Sequence, residues 1–294
     1  MKERNKSKFL TCAAVLIGGL CLFASAQTLA ASTTQFKLLN GYVIVIPVTV
    51  NGAGPYEFLL DTGSNTTLIG AEFARALRLR PVDRVELVTV AGSRIVPRAQ
   101  LESLAVGAKV VKNLEALFSD LREVRAVKPE IRGVLGMNFL ARFNFLINYR
   151  EQRIEFEDDD ELEKSLRGAR LPIEWNDGRT LISSTGKERL RLMLDSGTST
   201  LFLFNAGGRL SGLNWEQGES RPLRASSDLG SQTVWQKRLR SFSVGGANFY
   251  DLPVAVMESK TAHQGRIEDG LLPTSLFQSA YFNHRKKFVM LNPK

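Results

Sequence analysis

The chain has 294 residues, 44% hydrophobic and 23% charged, with a formal net charge of +9. That content suffices for a sizeable core, and the length allows one large or two small domains. Only two cysteines, Cys12 and Cys21, and two histidines, His263 and His284, occur, which excludes a disulfide scaffold and the usual zinc ligand set and disfavours cysteine or serine catalysis.

At the start, Lys2, Arg4, Lys6 and Lys8 precede an apolar run from Phe9 to Phe23 and the small residues Ala24-Ser25-Ala26. This pattern predicts a cleaved signal peptide at 1–26 and an exported protein, periplasmic or extracellular in a bacterial envelope. The run is 15 residues, short of the roughly 20 that a spanning helix needs; no stable membrane insertion is expected after cleavage. Both cysteines fall inside this segment, and it carries +3 of the net charge. The remaining chain is modestly basic, with Arg221, Arg224, Lys237, Arg238 and Arg240 concentrated in its second half. Aromatic residues are not interleaved with them, so a solvated surface is expected rather than a nucleic acid platform.

Downstream, Tyr42 to Val50 is rich in β-branched residues, Asn51 to Pro55 is a turn, and Tyr56 to Leu60 is a second strand running into Asp61-Thr62-Gly63-Ser64. Ala71 to Leu79 is the one clearly helical stretch. Gly133-Val134-Leu135-Gly136 lies 72 residues after Asp61 and leads into an amphipathic stretch, Met137 to Phe143, after which Phe145 to Arg150 passes through a basic turn into a last strand, Arg153 to Glu157. A charged linker, 158–170, contains Asp158-Asp159-Asp160-Glu161 without the glycine-bearing pattern of a calcium loop, and reads as a solvated linker with some helix.

The same order then returns. Thr180 to Ser184, a turn at Thr185-Gly186-Lys187, and Leu190 to Leu194 feed Asp195-Ser196-Gly197-Thr198, 134 positions after the first acidic turn. Gly270-Leu271-Leu272-Pro273 lies 75 residues after Asp195, followed by an amphipathic stretch at Thr274 to Ala280 and a last strand at Lys287 to Leu291. His284 sits in a basic turn matching Tyr149, and both histidines are expected at the surface, whereas Trp175, Trp215 and Trp235 are expected in the core or a cleft wall. Short strands punctuated by Gly, Pro, Asn and Asp predict an all-β chain, and self-similarity over whole units predicts two homologous lobes.

A doubled acidic turn is one way for a single chain to build a symmetric carboxylate pair. Two carboxylates held close together cannot both ionise readily, so they share a proton, and one can take a proton from water while the other supplies one; the aspartic proteases are the standard instance of that sharing. Asp61 and Asp195 are the candidate catalytic pair. Gly63 and Gly197 are expected to permit the sharp turn. Thr62 and Ser196 can bond across to the opposite turn, while Ser64 and Thr198 can donate to the outer carboxylate oxygens. The apolar strands in front desolvate the site.

With these residues in view, the chain resembles a bilobal aspartic peptidase of the pepsin and retropepsin superfamily, specifically the bacterial exported retropepsin-like members, over nearly all of 36–292. The resemblance implies two acid-protease β-barrel lobes, at 35–157 and 171–294, with an active-site cleft between them and no cofactor or metal. It implies an endopeptidase acting on polypeptides through a water bound by Asp61 and Asp195, in a monomer with intramolecular pseudo-twofold lobes. It also implies a flap hairpin in each lobe, with candidates Ala91 and Gly92 in the first and Ser226 and Ser227 in the second. Two departures stand out: Pro273 replaces the glycine of Gly136, and no flap tyrosine is present. The alternative is an exported peptide-binding or structural protein that kept this fold and lost turnover.

Overall fold

Segments rich in β-branched and aromatic side chains become strands throughout the chain, and Asn, Asp and Gly take the turns between them. The computed structural model describes residues 32–294 apart from 187, 206, 207, 209, 228 and 259–265. The expected signal peptide with Cys12 and Cys21, the turn residue Lys187, and His263 lie outside the described residues.

The first half comprises β1 (Ser32–Gln35), β2 (Lys37–Leu39), β3 (Val43–Val50), β4 (Ala53–Leu60), β5 (Thr67–Gly70), α1 (Ala71–Ala76), β6 (Asp83–Thr89), β7 (Gly92–Val106), β8 (Lys109–Ser119), α2 (Arg122–Val127), β9 (Gly133–Leu135), α3 (Met137–Leu140), β10 (Asn144–Asn148) and β11 (Arg153–Glu157). After α4 (Glu161–Ser165) come β12 (Ala169–Pro172), β13 (Glu174–Asn176), β14 (Arg179–Ser183), β15 (Arg191–Asp195), β16 (Leu201–Asn205), β17 (Arg221–Ser227), β18 (Gly230–Val244), β19 (Ala247–Glu258), β20 (Gly270–Pro273), β21 (Phe277–Asn283) and β22 (Phe288–Pro293).

These form two eight-stranded sheets of the same order, β2-β3-β4-β9-β5-β8-β7-β6 and β13-β14-β15-β20-β16-β19-β18-β17. Strand for strand the second repeats the first, so the chain is all-β with two homologous lobes. In the first, β3 also pairs with β7 and closes the sheet on itself, Thr49 opposite Ala105. The amide of Asn51 donates to Ser103 there at 2.9 Å, and in the second lobe Thr185 donates to Ser243 at 2.9 Å. A third, six-stranded sheet, β1-β11-β10-β21-β22-β12, joins the halves, with β10 and β21 antiparallel at its centre.

Strand periodicity sorts the apolar residues into two layers per lobe. Phe58 and Leu60 on β4, and Leu192 and Leu194 on β15, face one continuous core that also takes in Phe145 and Phe282 of the joining sheet. The alternate residue Leu59 faces a separate apolar cluster in the first lobe, with Leu68 and Val134. Met193, Phe202 and Leu271 form the matching cluster in the second.

Local differences from the sequence expectations have local causes. Helix α1 ends at Ala76 rather than Leu79, because Arg78 turns the chain at φ 55°. The first hairpin turn is only Asn51-Gly52, with β4 already begun at Ala53. Thr274 to Ala280 is one short turn, Thr274–Leu276, and then strand, because its residues are claimed by pairing with β10 and β22. His284 is not a surface residue: its ring stacks on Phe145 and Phe282 at 5.8 and 6.2 Å and meets Trp175 edge-on at 5.1 Å. Burial pulls its imidazole down to about 4. Trp175 and Trp235 are exposed rather than cored, while Trp215 is half-buried with its indole N–H donating to Leu210. Nor is the acidic linker simply solvated. Asp160 accepts from Asn144 and Asn283 at 3.0 and 2.8 Å and pairs with Arg285 and Lys286, and buried Glu157 accepts from the hydroxyl of Tyr281.

Candidate active site

Each acidic turn is set by a parallel strand pair. β4 runs alongside β9, Leu60 opposite Leu135, and the amide of Asp61 donates to Leu135 at 3.0 Å. β15 runs alongside β20 in the same sense, Leu194 opposite Leu272 and Asp195 opposite Pro273. Gly133 and Gly270 allow this close layering: a Cβ on Gly133 would lie 2.1 Å from the Phe58 ring, and one on Gly270 2.3 Å from the carbonyl oxygen of Phe202.

The two turns are tied to each other by four hydrogen bonds. The Thr62 hydroxyl donates to the Leu194 carbonyl at 2.9 Å and accepts the Ser196 amide at 3.0 Å. Reciprocally, the Ser196 hydroxyl donates to the Leu60 carbonyl and accepts the Thr62 amide, both at 3.0 Å. Both side chains are fully buried, so each satisfied bond avoids the roughly 1–3 kcal/mol cost of an orphaned buried group.

Above this lattice, the Gly63 amide donates to Asp61 Oδ1 at 2.8 Å and the Gly197 amide to Asp195 Oδ1 at 2.7 Å. The glycines are not required for backbone conformation, since neither lies in the left-handed region. Space requires them. A Cβ on Gly63 would stand 2.5 Å from Asp195 Cγ, and one on Gly197 2.8 Å from Asp61 Oδ1. Each turn therefore lies directly against the opposite carboxylate.

The hydroxyls of Ser64 and Thr198 do not reach the carboxylates. They donate to the carbonyls of Thr66 and Thr200 at 2.8 and 3.2 Å, closing their own turns, while the backbone amides of Ser64 and Thr198 face the acids instead. Burial raises Asp61 above the ordinary carboxylate range against the pull of the Gly63 amide. Asp195 is raised as well, by burial first and then by the charge of Asp61. Two carboxylates brought this close cannot both ionise readily, an arrangement that favours sharing one proton.

Pro273 leaves no orphan beneath the second acid. In the first lobe, the Gly136 amide donates to Thr67 Oγ1 at 3.3 Å, and Thr67 donates on to Asn138 at 2.8 Å. At the matching places stand Pro273, without an N–H, Leu201, without a hydroxyl, and Ser275. The polar chain is replaced as a set. A buried link absent from the sequence reading takes over: the Tyr149 hydroxyl and Thr274 Oγ1 are 2.6 Å apart, and burial keeps the phenol neutral while both acids act on it electrostatically.

The flap candidates lie at two hairpin tips, β6–β7 and β17–β18. Gly92 at φ 139° and Gly230 at φ 130° close the two turns, conformations that favour glycine. The Ala91 amide donates to Thr89 Oγ1 at 3.2 Å. Ser226 is exposed, and Ser227 donates to Thr89 Oγ1 of the other hairpin at 3.0 Å. The tips exchange lobes: Val90 packs on the second lobe's apolar cluster, and Leu229 packs on the first lobe's. Arg266 adds a latch, donating to the Thr89 carbonyl at 3.0 Å while lying 4.5 Å over the Phe204 ring and 3.3 Å from buried Glu268. Nothing in the residue order around Arg266 signalled this role, since it depends on contact with a hairpin 177 residues away.

Comparison with known proteins agrees with this geometry. A family model described as Aspartyl protease matches twice, over residues 46–139 and 181–276, together more than half of the chain. One match holds Asp61 and the other Asp195. No curated protein matches the chain. Among the described residues, no helix is long and apolar enough to cross a membrane.

Proposed function

We infer, from the premise that this chain belongs to the aspartyl protease family, that it is an endopeptidase in which Asp61 and Asp195 act together on a polypeptide. The observation that carries this reading is the reciprocal approach of each turn to the opposite acid, at Gly63 and Gly197. The ionised member of the pair takes a proton from a water molecule, whose oxygen attacks the scissile carbonyl carbon. The protonated member donates to the carbonyl oxygen, giving a neutral tetrahedral intermediate. One acid then donates its proton to the leaving nitrogen while the other takes a proton from a hydroxyl of the intermediate; the C–N bond breaks, the carboxyl group forms, and a single shared proton remains on the pair. Amides at Gly63 and Gly197 hold each acid's oxygen while its charge changes.

One chain supplies both acids, so the functional unit is a monomer in this reading. The leader pattern at Lys2 to Ala26 supports export, with substrates met outside the cytoplasm. The test is cleavage of an unstructured polypeptide by the purified protein from acid to neutral pH, beside Asp61→Asn and Asp195→Asn. Cleavage abolished by either substitution is the expected result. Cleavage at the wild-type rate by both variants overturns the paired-acid assignment, and no cleavage by correctly folded wild type overturns the peptidase reading in favour of a peptide-binding protein.

A further inference from the structure

We propose that an arginine-lined cavity on the first lobe docks an acidic side chain of the substrate, beyond the apolar wall beneath the second flap; this rests on the peptidase reading. The cavity, of about 450 Å³, is bounded by Arg75, Arg122, Arg125 and Arg132 with Glu72 and Asp120. The carboxylates answer only part of this charge. Arg125 pairs with Glu72 at 3.3 Å, and Asp120 has Arg94 of the first flap hairpin at 4.0 Å. Among the described residues, neither Arg122 nor Arg132 has a carboxylate within ion-pair distance. Arg132 is half-buried beside the apolar Phe73 and Ile131. A guanidinium partly withdrawn from water favours a carboxylate more than an exposed one does, and its planar fork suits that group.

The position makes this a substrate feature. Helix α2 is a shared wall. Its Val124 packs on the cluster that Leu229 of the second flap covers, whereas its Arg122 and Arg125 line the cavity. Buried Leu121, held at φ 51°, turns the chain so that its own side chain joins the apolar cluster just before Arg122 enters the cavity. Helix α2 also packs against β17, the first strand of the second flap. A polypeptide held under that flap thus leaves an apolar surface and meets cationic groups one helix away.

The second lobe provides an internal contrast. A cavity there, at the ends of β16 and β19, is about 160 Å³, and its cation Lys237 is paired with Glu258 at 2.9 Å. Among the described residues, the first cavity holds arginines without a carboxylate partner whereas the cation of the second is paired, so the preference is directional along the substrate.

The test uses two peptides identical around the scissile bond, one with Glu residues in a flank and one with Gln there, with each flank varied in turn. Wild type is expected to favour the Glu peptide in kcat/KM by roughly fivefold for each carboxylate engaged, less at high salt, and for one flank only. Arg132→Gln and Arg122→Gln should each bring that ratio toward one; because the ratio is read within one variant, loss of folded protein cancels. The same peptides are also titrated by fluorescence anisotropy against Asp195→Asn and Asp195→Asn/Arg132→Gln. Absence of a preference in wild type, or a preference undiminished in both arginine variants, overturns the proposal. If no peptide is cleaved, yet Asp195→Asn binds the Glu peptide more tightly and the double variant does not, the docking site stands and the peptidase reading fails.

Discussion

Thr62 and Ser196, 134 residues apart, each donate a hydroxyl hydrogen to a carbonyl of the other's strand and accept the other's amide. The arrangement locks the two acidic turns together at their bases, and it is fully buried. Ser196→Ala leaves the Thr62 amide and the Leu60 carbonyl without their partner. We expect a loss of about 1–3 kcal/mol in denaturant unfolding, with Thr62→Val similar. The double variant should lose less than the sum, because both changes dismantle one lattice. Additive losses would show that the turns are not coupled.

Gly63→Ala places a Cβ 2.5 Å from Asp195 Cγ, and Gly197→Ala places one 2.8 Å from Asp61 Oδ1. The backbone tolerates alanine at both positions, so the folded state should persist while the opposite carboxylate is displaced. kcat should fall by roughly a hundredfold, the scale of an ångström-sized misplacement. Circular dichroism and peptide cleavage separate the two effects.

Burial raises both acids. A group whose folded pKa lies above its unfolded value stabilises the fold while protonated, and this contribution is present at low pH and lost as pH rises through the folded pKa. The ionised pair is therefore a cost to folding at neutral pH. Asp195→Asn removes that cost, and its Tm should exceed the wild-type value at neutral pH, with the gap closing in acid. Activity has the same sign: it should decline as rising pH removes the shared proton. Thermal melts and kcat/KM profiles across pH provide the measurements.

Thr89 is the point where the first flap meets the second lobe, through Arg266 and Ser227. Ser227→Ala removes one of these bonds without burying a charge. Hydrogen exchange at residues 89–92 should accelerate by about fivefold, the equivalent of one bond of about 1 kcal/mol. Val90→Asp should act more strongly, since it puts a carboxylate against the second lobe's apolar cluster. Unchanged exchange in both would mean that the flap tip is held by other contacts.

The strands, the doubling and the candidate acids were legible because each is a local pattern. β-Branched runs, turn residues and the repeated tetrapeptide report backbone preference and chemistry at fixed spacing. Apolar residues before Asp61 and Asp195 also imply desolvation directly. Hydroxyl partners were less legible. Thr62 and Ser196 differ from Ser64 and Thr198 by two positions, yet the first pair crosses between lobes and the second caps its own turn. Which carbonyl a hydroxyl meets depends on the separation of the turns, which the motif does not encode.

The sequence by itself determined the all-β class, the two homologous units and the pairing of two acidic turns. Tertiary structure decided why Gly63 and Gly197 must be glycine, how Pro273 is accommodated, where His284 packs, and which arginines stand around one cavity. Those outcomes depend on distances between segments more than a hundred residues apart, or on the space left when strands pack. No local propensity carries that information, because it comes into being only when the two lobes close on each other.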